Sequence, residues 1–158
     1  MALGLVMTGC DSGGSDSKSW EGNWEVTEVD GEDPGFDPGD ELYYNLSTDA
    51  FTYVFVDGPT GNCFISQDPV VEVDGNVVTA RNSTGDFNGD LFTTEYTVQN
   101  GTLEGEFIRT DATPNSTDDP GEMDDTGDVF EAQPLDGPAR DQAEDCKKDK
   151  SGKNIPFL

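Results

Sequence analysis

Histidine is absent from this sequence. Its absence removes Ser-His-Asp and Cys-His catalysis, the zinc motifs built on imidazole, and the usual general base near neutral pH. Cysteine is scarce, at three residues, and Cys63 has no cationic neighbour in sequence to activate it. Positive charge is scarcer still in proportion: eight Lys and Arg stand against 34 Asp and Glu, a net charge of −26 over 158 residues. Phosphate binding needs clustered cations, so nucleic acid is excluded as a natural partner. Long hydrophobic runs are missing too, since no stretch approaches the roughly 20 apolar residues of a spanning helix. With so many acids any two carboxylates can be paired on paper, and a glycosidase geometry gains no weight from that. The chain therefore reads as a non-enzyme that calls for no cofactor.

The few bases are placed unevenly. Arg140, Lys147, Lys148, Lys150 and Lys153 lie in the C-terminal segment, whereas residues 1–139 hold 30 acidic residues against Lys18, Arg81 and Arg109. Such a Lys-poor, Asp-rich balance resembles proteins of salt-loving bacteria. Self-repulsion opposes compaction at low salt and is screened at molar salt, where the Debye length falls to about 3 Å.

Cys10 has the most informative surroundings. Residues 2–9 are apolar or small, Gly9 precedes the cysteine, and Asp11-Ser12-Gly13-Gly14-Ser15-Asp16-Ser17 forms a polar tether after it. The pattern resembles the lipobox of bacterial lipoproteins, in which the cysteine becomes the lipidated N-terminus. That resemblance implies a signal-peptide remnant at residues 1–9 whose true start lies upstream, and a lipidated Cys10 with its tether at 10–19. It also implies a location in the bacterial cell envelope, with the membrane reached through the lipid and its identity and face left open. If Cys10 is lipidated, Cys63 and Cys146 remain as an even pair in an oxidising compartment. A disulfide between them would contribute at most about 4–5 kcal/mol by the chain-entropy argument; two free thiols is the alternative.

Residues 20–110 read as strand after strand. Trp24–Val29 and Leu42–Leu46 alternate apolar and polar, and Phe51–Val56 is aromatic and β-branched enough to be covered on both faces. Cys63-Phe64-Ile65 starts a short strand. Val70–Val73 and Val77–Ala80 flank Asp74-Gly75, and Thr94–Gln99 and Thr102–Ile108 flank Asn100-Gly101, the two strongest hairpin signals. Around Asn100-Gly101 the pattern sets Val98 against Leu103 and Tyr96 against Gly105. The expectation is an all-β fold, an antiparallel up-and-down β-barrel of about eight strands. The segment 111–158 reads as an acidic, mostly irregular tail with one short helix at 138–150.

The opening Trp20-Glu21-Gly22-Asn23-Trp24 resembles the first strand of bacterial lipocalin-like domains, with Gly22 and Trp24 matching their Gly-x-Trp. The resemblance implies an eight-stranded lipocalin-like barrel with Trp24 plugging its closed end, a long first loop at the open end, and a C-terminal helix. It also places Cys63 and Cys146 where many such proteins carry a disulfide.

Candidate interior residues are Trp24, Tyr44, Phe51, Tyr53, Phe55, Phe64, Tyr96 and Phe107. They line a site for one small apolar ligand or simply fill the core. Core filling is preferred, because an eight-stranded barrel is about wide enough for side chains alone. Asp86, Asn88 and Asp90 space oxygens as a calcium loop begins, but Leu91 stands where Gly is required. Three readings stay open: a tethered monomeric carrier of a small apolar ligand, a structural or interaction lipoprotein with a filled barrel, and a calcium-binding acidic surface.

Overall fold

The computed structural model describes residues 18–34, 37–83, 88–111 and 127–143. They form eight strands, β1 (Gly22–Val29), β2 (Glu41–Leu46), β3 (Ala50–Val56), β4 (Cys63–Asp74), β5 (Val77–Arg81), β6 (Leu91–Gln99), β7 (Thr102–Asp111) and β8 (Val129–Pro134), then a 3-10 helix, Ala139–Ala143. Every strand pairs antiparallel with the next, and β8 returns to β1, so the sheet is a closed up-and-down barrel. The expected all-β antiparallel barrel is the observed fold, and closure leaves it no sheet edge.

Period-two alternation decides which side chains enter the barrel. Trp24 and Val26 of β1, Leu42, Tyr44 and Leu46 of β2, Phe51 and Phe55 of β3, and Tyr96 of β6 are buried in one core cluster. Outward residues on β6 and β7, including Glu95, Glu104 and Glu106, are exposed. The outer wall of β2 to β4 is different. Tyr43 and Val54 point outward yet are buried, because Ala139 and Leu135 of the C-terminal segment pack on them with Val56 and Ile65. This second layer is why β3 is apolar on both faces.

Turn chemistry sets the register. Asn100 and Gly101 both take positive φ, 53° and 85°, as a type I′ turn demands, and Val98 pairs with Leu103 and Tyr96 with Gly105 as the sequence indicates. At the other hairpin the loop slides by one residue. Asp74 pairs with Val77, so the connection is Gly75-Asn76, with Gly75 supplying the positive φ of 67°.

Three expectations need correction. The strands expected at Cys63–Ile65 and Val70–Val73 are one strand, β4, running through Pro69. Pro69 is the last residue paired to β3 and Val70 the first paired to β5. The missing N–H thus falls where β4 changes partner, beside a bulge, a position that tolerates proline. The barrel does not end at residue 110, because β8 lies in the segment read as an irregular tail. Val129-Phe130-Glu131-Ala132 alternates, with Phe130 and Ala132 buried, but the acidic composition around it hides so short a strand. Of the helix expected at 138–150, Ala139–Ala143 is a 3-10 turn and 144–150 lies outside the described residues. Cys10, Asp86 and Cys146 also lie outside them. Among the described residues no helix is long and apolar enough to cross a membrane.

Candidate functional site

The up-and-down order gathers the loops after β1, β3, β5 and β7 at one end and the short turns at 47–49, 75–76 and 100–101 at the other. Trp20 and Trp24 close the short-turn end. Trp20, only 2 % exposed, stacks on Tyr96 with ring centroids 5.4 Å apart, and its Nε1 donates to the Gly75 carbonyl at 3.4 Å. Trp24 Nε1 donates to the Trp20 carbonyl at 3.0 Å.

Above them the barrel holds a closed circuit of rings. Tyr44 meets Phe51 at 4.9 Å, Phe51 meets Phe92 at 5.5 Å, and Phe92 meets Phe107 at 6.4 Å. Phe107 meets Phe130 at 6.0 Å, and Phe130 returns to Tyr44 edge-on at 5.0 Å. All five spacings fall within ordinary aromatic contact. The circuit joins β2, β3, β6, β7 and β8 across the barrel, so the walls are bridged by side chains at this level. Tyr53 lies beside it, 6.0 Å from Tyr44 and 5.9 Å from Phe64. Phe55 is buried in the same cluster. The predicted interior residues are therefore brought together, in contact with one another.

Phe130, Phe92 and Trp20 were missed by sequence reasoning. The alternation around Phe130 was the available signal for the first. Gly105 is part of the same packing, because a Cβ there would run into the Phe130 ring.

Burial acts on the tyrosines. Desolvation pushes the Tyr53 hydroxyl up to about 12 and raises Tyr44 and Tyr96 as well, since a phenolate loses its hydration in an apolar site. Tyr43, on the outer wall, is raised by burial and by the Glu41 carboxylate, which accepts its hydroxyl proton at 2.8 Å. Asp68 is one of five buried polar side chains among the described residues, with Thr52, Ser66, Asp90 and Thr94. Its Oδ1 accepts from Ser66 Oγ at 2.9 Å, Ser83 N at 2.9 Å and Ser83 Oγ at 2.6 Å.

Of the calcium candidates, Asp86 lies outside the described residues. Asp90 is buried, Asn88 sits in the exposed β5–β6 connection, and no group of three or more metal-ligating side chains occurs among the described residues. Cys63 is buried on the outer wall at the start of β4; Cys146, the partner inferred for it from the sequence, lies outside the described residues.

A second site was not anticipated. A cleft of about 420 Å³ lies on the outer wall, lined by Asn23, Asn45, Thr52, Ile65 and Gln67 from β1 to β4 and roofed by Pro138, Ala139 and Arg140. Asn23 builds its roof, because the Asn23 Oδ1 accepts from the Ala139 backbone N–H at 2.9 Å and from Asn45 Nδ2 at 2.9 Å. The Leu135 N–H also donates to the Asn23 carbonyl at 2.9 Å. No family model, no curated protein and no solved structure matches the chain.

Proposed function

We propose that this protein is a lipid-anchored lipoprotein of a bacterial envelope, whose barrel is a filled interaction module rather than a carrier of an apolar ligand. The ring circuit carries this reading. Five aromatic side chains from five strands touch across the interior, where a carrier needs a cavity of roughly 300 Å³ or more. The anchor rests on the Gly9-Cys10 junction between an apolar run and a polar tether. A partner would meet the loop end, where Asp30, Glu32, Asp33, Asp37, Asp40 and Asp57 are grouped, and that charge selects a cationic surface over an anionic one. Two of these loops are tied together, since the Gly58 N–H donates to Asp40 Oδ1 at 2.9 Å. The Cys63–Cys146 disulfide belongs to the same reading, as a staple for the C-terminal segment on the outer wall.

Native mass spectrometry of protein purified without denaturation tests the filled barrel. The expected spectrum is that of the chain alone, and a retained small apolar molecule would turn the reading toward a carrier. Expressing the chain in a bacterium behind a complete signal sequence, with labelled palmitate, tests the anchor. Label should enter the parent and be lost in Cys10→Ser; label persisting in the variant would remove Cys10 from this role.

A further inference from the structure

The register that closes the barrel also assembles a row no sequence motif announces. Asn23 pairs with Asn45, Asn45 with Thr52, and Thr52 with Gln67. All four side chains point out of the barrel, and they stand side by side across four strands at the inter-strand spacing of about 4.8 Å. They form the floor of the cleft beneath Pro138–Arg140, with Ile65 as its apolar part. Thr52 is 9 % exposed and faces this space, and its hydroxyl has no hydrogen-bond partner among the described residues.

The hydrogen bonds determine what the row can offer. A backbone N–H can only donate, so the Ala139 N–H fixes the Asn23 oxygen, and that oxygen fixes Asn45 as a donor through its Nδ2. The Asn45 oxygen is left as an acceptor, the Thr52 hydroxyl is both donor and acceptor, the Gln67 amide is both, and Arg140 adds donors at the rim. Among the described residues no carboxylate lines the cleft, in a chain carrying 34 acidic residues. A free anion accepts only, and would be mismatched with the Asn45 oxygen and repelled by a net charge of −26. Ligand hydroxyls, which donate and accept at once, match every group in the row, and Ile65 and Pro138 give the C–H face of a ring something to lie on.

We propose that this outer-wall cleft binds a small uncharged polyol, a saccharide unit, through the row Asn45, Thr52 and Gln67 under the Pro138–Arg140 roof. Its volume of about 420 Å³ falls within the usual range for small-molecule sites. The site is separate from the barrel interior, so its failure would leave the filled-barrel reading untouched.

The test is an NMR titration of the full, isotope-labelled chain with glucose and with N-acetylglucosamine, using acetate as the anionic comparison. The side-chain amide signals of Asn45 and Gln67 and the backbone N–H of Ala139 should shift saturably with at least one sugar and not with acetate. Thr52→Val keeps the shape and removes the hydroxyl, and should weaken binding at least tenfold with an unchanged melting temperature. Gln67→Leu, at an exposed position, should do the same and serves if the valine variant folds poorly. Absence of a saturable shift with either sugar, an equal response to acetate, or undiminished binding by a folded variant would each overturn the proposal.

Discussion

Phe130 shows how much of this core hangs on single residues. Its ring touches Tyr44, Tyr96 and Phe107 and lies against the bare backbone of Gly105. Phe130→Ala should cost about 3–5 kcal/mol, the usual range for emptying a buried aromatic site. Gly105→Ala pushes a methyl into the ring and should cost about 1–3 kcal/mol. Urea unfolding of both variants checks this, and a loss below 1 kcal/mol for Phe130→Ala would deny the ring its central place. The tyrosines give a pH prediction with a definite sign. All four of the chain's tyrosines have hydroxyls raised above the ordinary value, with burial as the largest cause. The unfolded chain loses these protons near pH 10, whereas folded Tyr53 holds its own to about 12. Their stabilisation is therefore complete below pH 10 and is lost as pH climbs from there toward 12, by up to about 1.4 kcal/mol per pH unit for each group. Spectroscopic titration should find no tyrosine ionising normally near pH 10 in the folded protein. Ionisation should instead coincide with alkaline unfolding.

Among the elements, those specified by local chemistry were legible and those specified by long-range pairing were not. Asn100-Gly101 demands two positive φ angles in adjacent positions, and that demand, with flanking alternation, gives the β6–β7 register outright. Strand β4 misleads because proline reads as a break, and only its change of partner at Pro69 explains why it continues. Strand β8 is six residues, of which Val129–Ala132 alternate, in acidic surroundings, visible once β1 and β7 need a neighbour. The core candidates were readable from strand parity, which puts Tyr44, Phe51, Tyr53, Phe55, Tyr96 and Phe107 inward. The row Asn23, Asn45, Thr52 and Gln67 was not, because its members are adjacent only through three pairings of separate strands. The C-terminal segment, too, is held by one distant side chain. Asn23→Ala removes the acceptor for both Ala139 N–H and Asn45 Nδ2, and should cost about 1–3 kcal/mol. It should also speed hydrogen exchange at Ala139 far more than at Val54, which lies in the middle of β3. Equal protection at Ala139 in parent and variant would show that the apolar contacts of Leu135 and Ala139 hold the segment without it.

At the scale of the whole molecule the charge distribution meets the closed sheet in an unfavourable way. Glu95 pairs directly with Glu106 across β6 and β7, and Glu104 with Glu131 across β7 and β8. Glu131 is in turn paired with Glu28 across β8 and β1. Like charges directly opposite one another destabilise a sheet by a few tenths of a kcal/mol to about 1 kcal/mol per pair, and the net charge of −26 adds a longer-range repulsion. Cross-strand partners are about 5 Å apart, inside the Debye length of about 10 Å at 0.1 M salt but beyond the roughly 3 Å at 1 M. Salt therefore should screen these pairs, and the urea midpoint should rise markedly from low to molar sodium chloride. The specific pairs can be separated from the general charge. Glu131→Lys turns two repulsive contacts, to Glu104 and Glu28, into attractive ones, so it should raise the midpoint at low salt and flatten its salt dependence. A matching Glu→Lys change at Glu21, outside the paired rows, alters the net charge equally and should have the smaller effect. If both variants shift the midpoint alike, the net charge alone sets the salt response. A midpoint that stays flat between low and molar salt would remove electrostatic repulsion from the account of this barrel's stability.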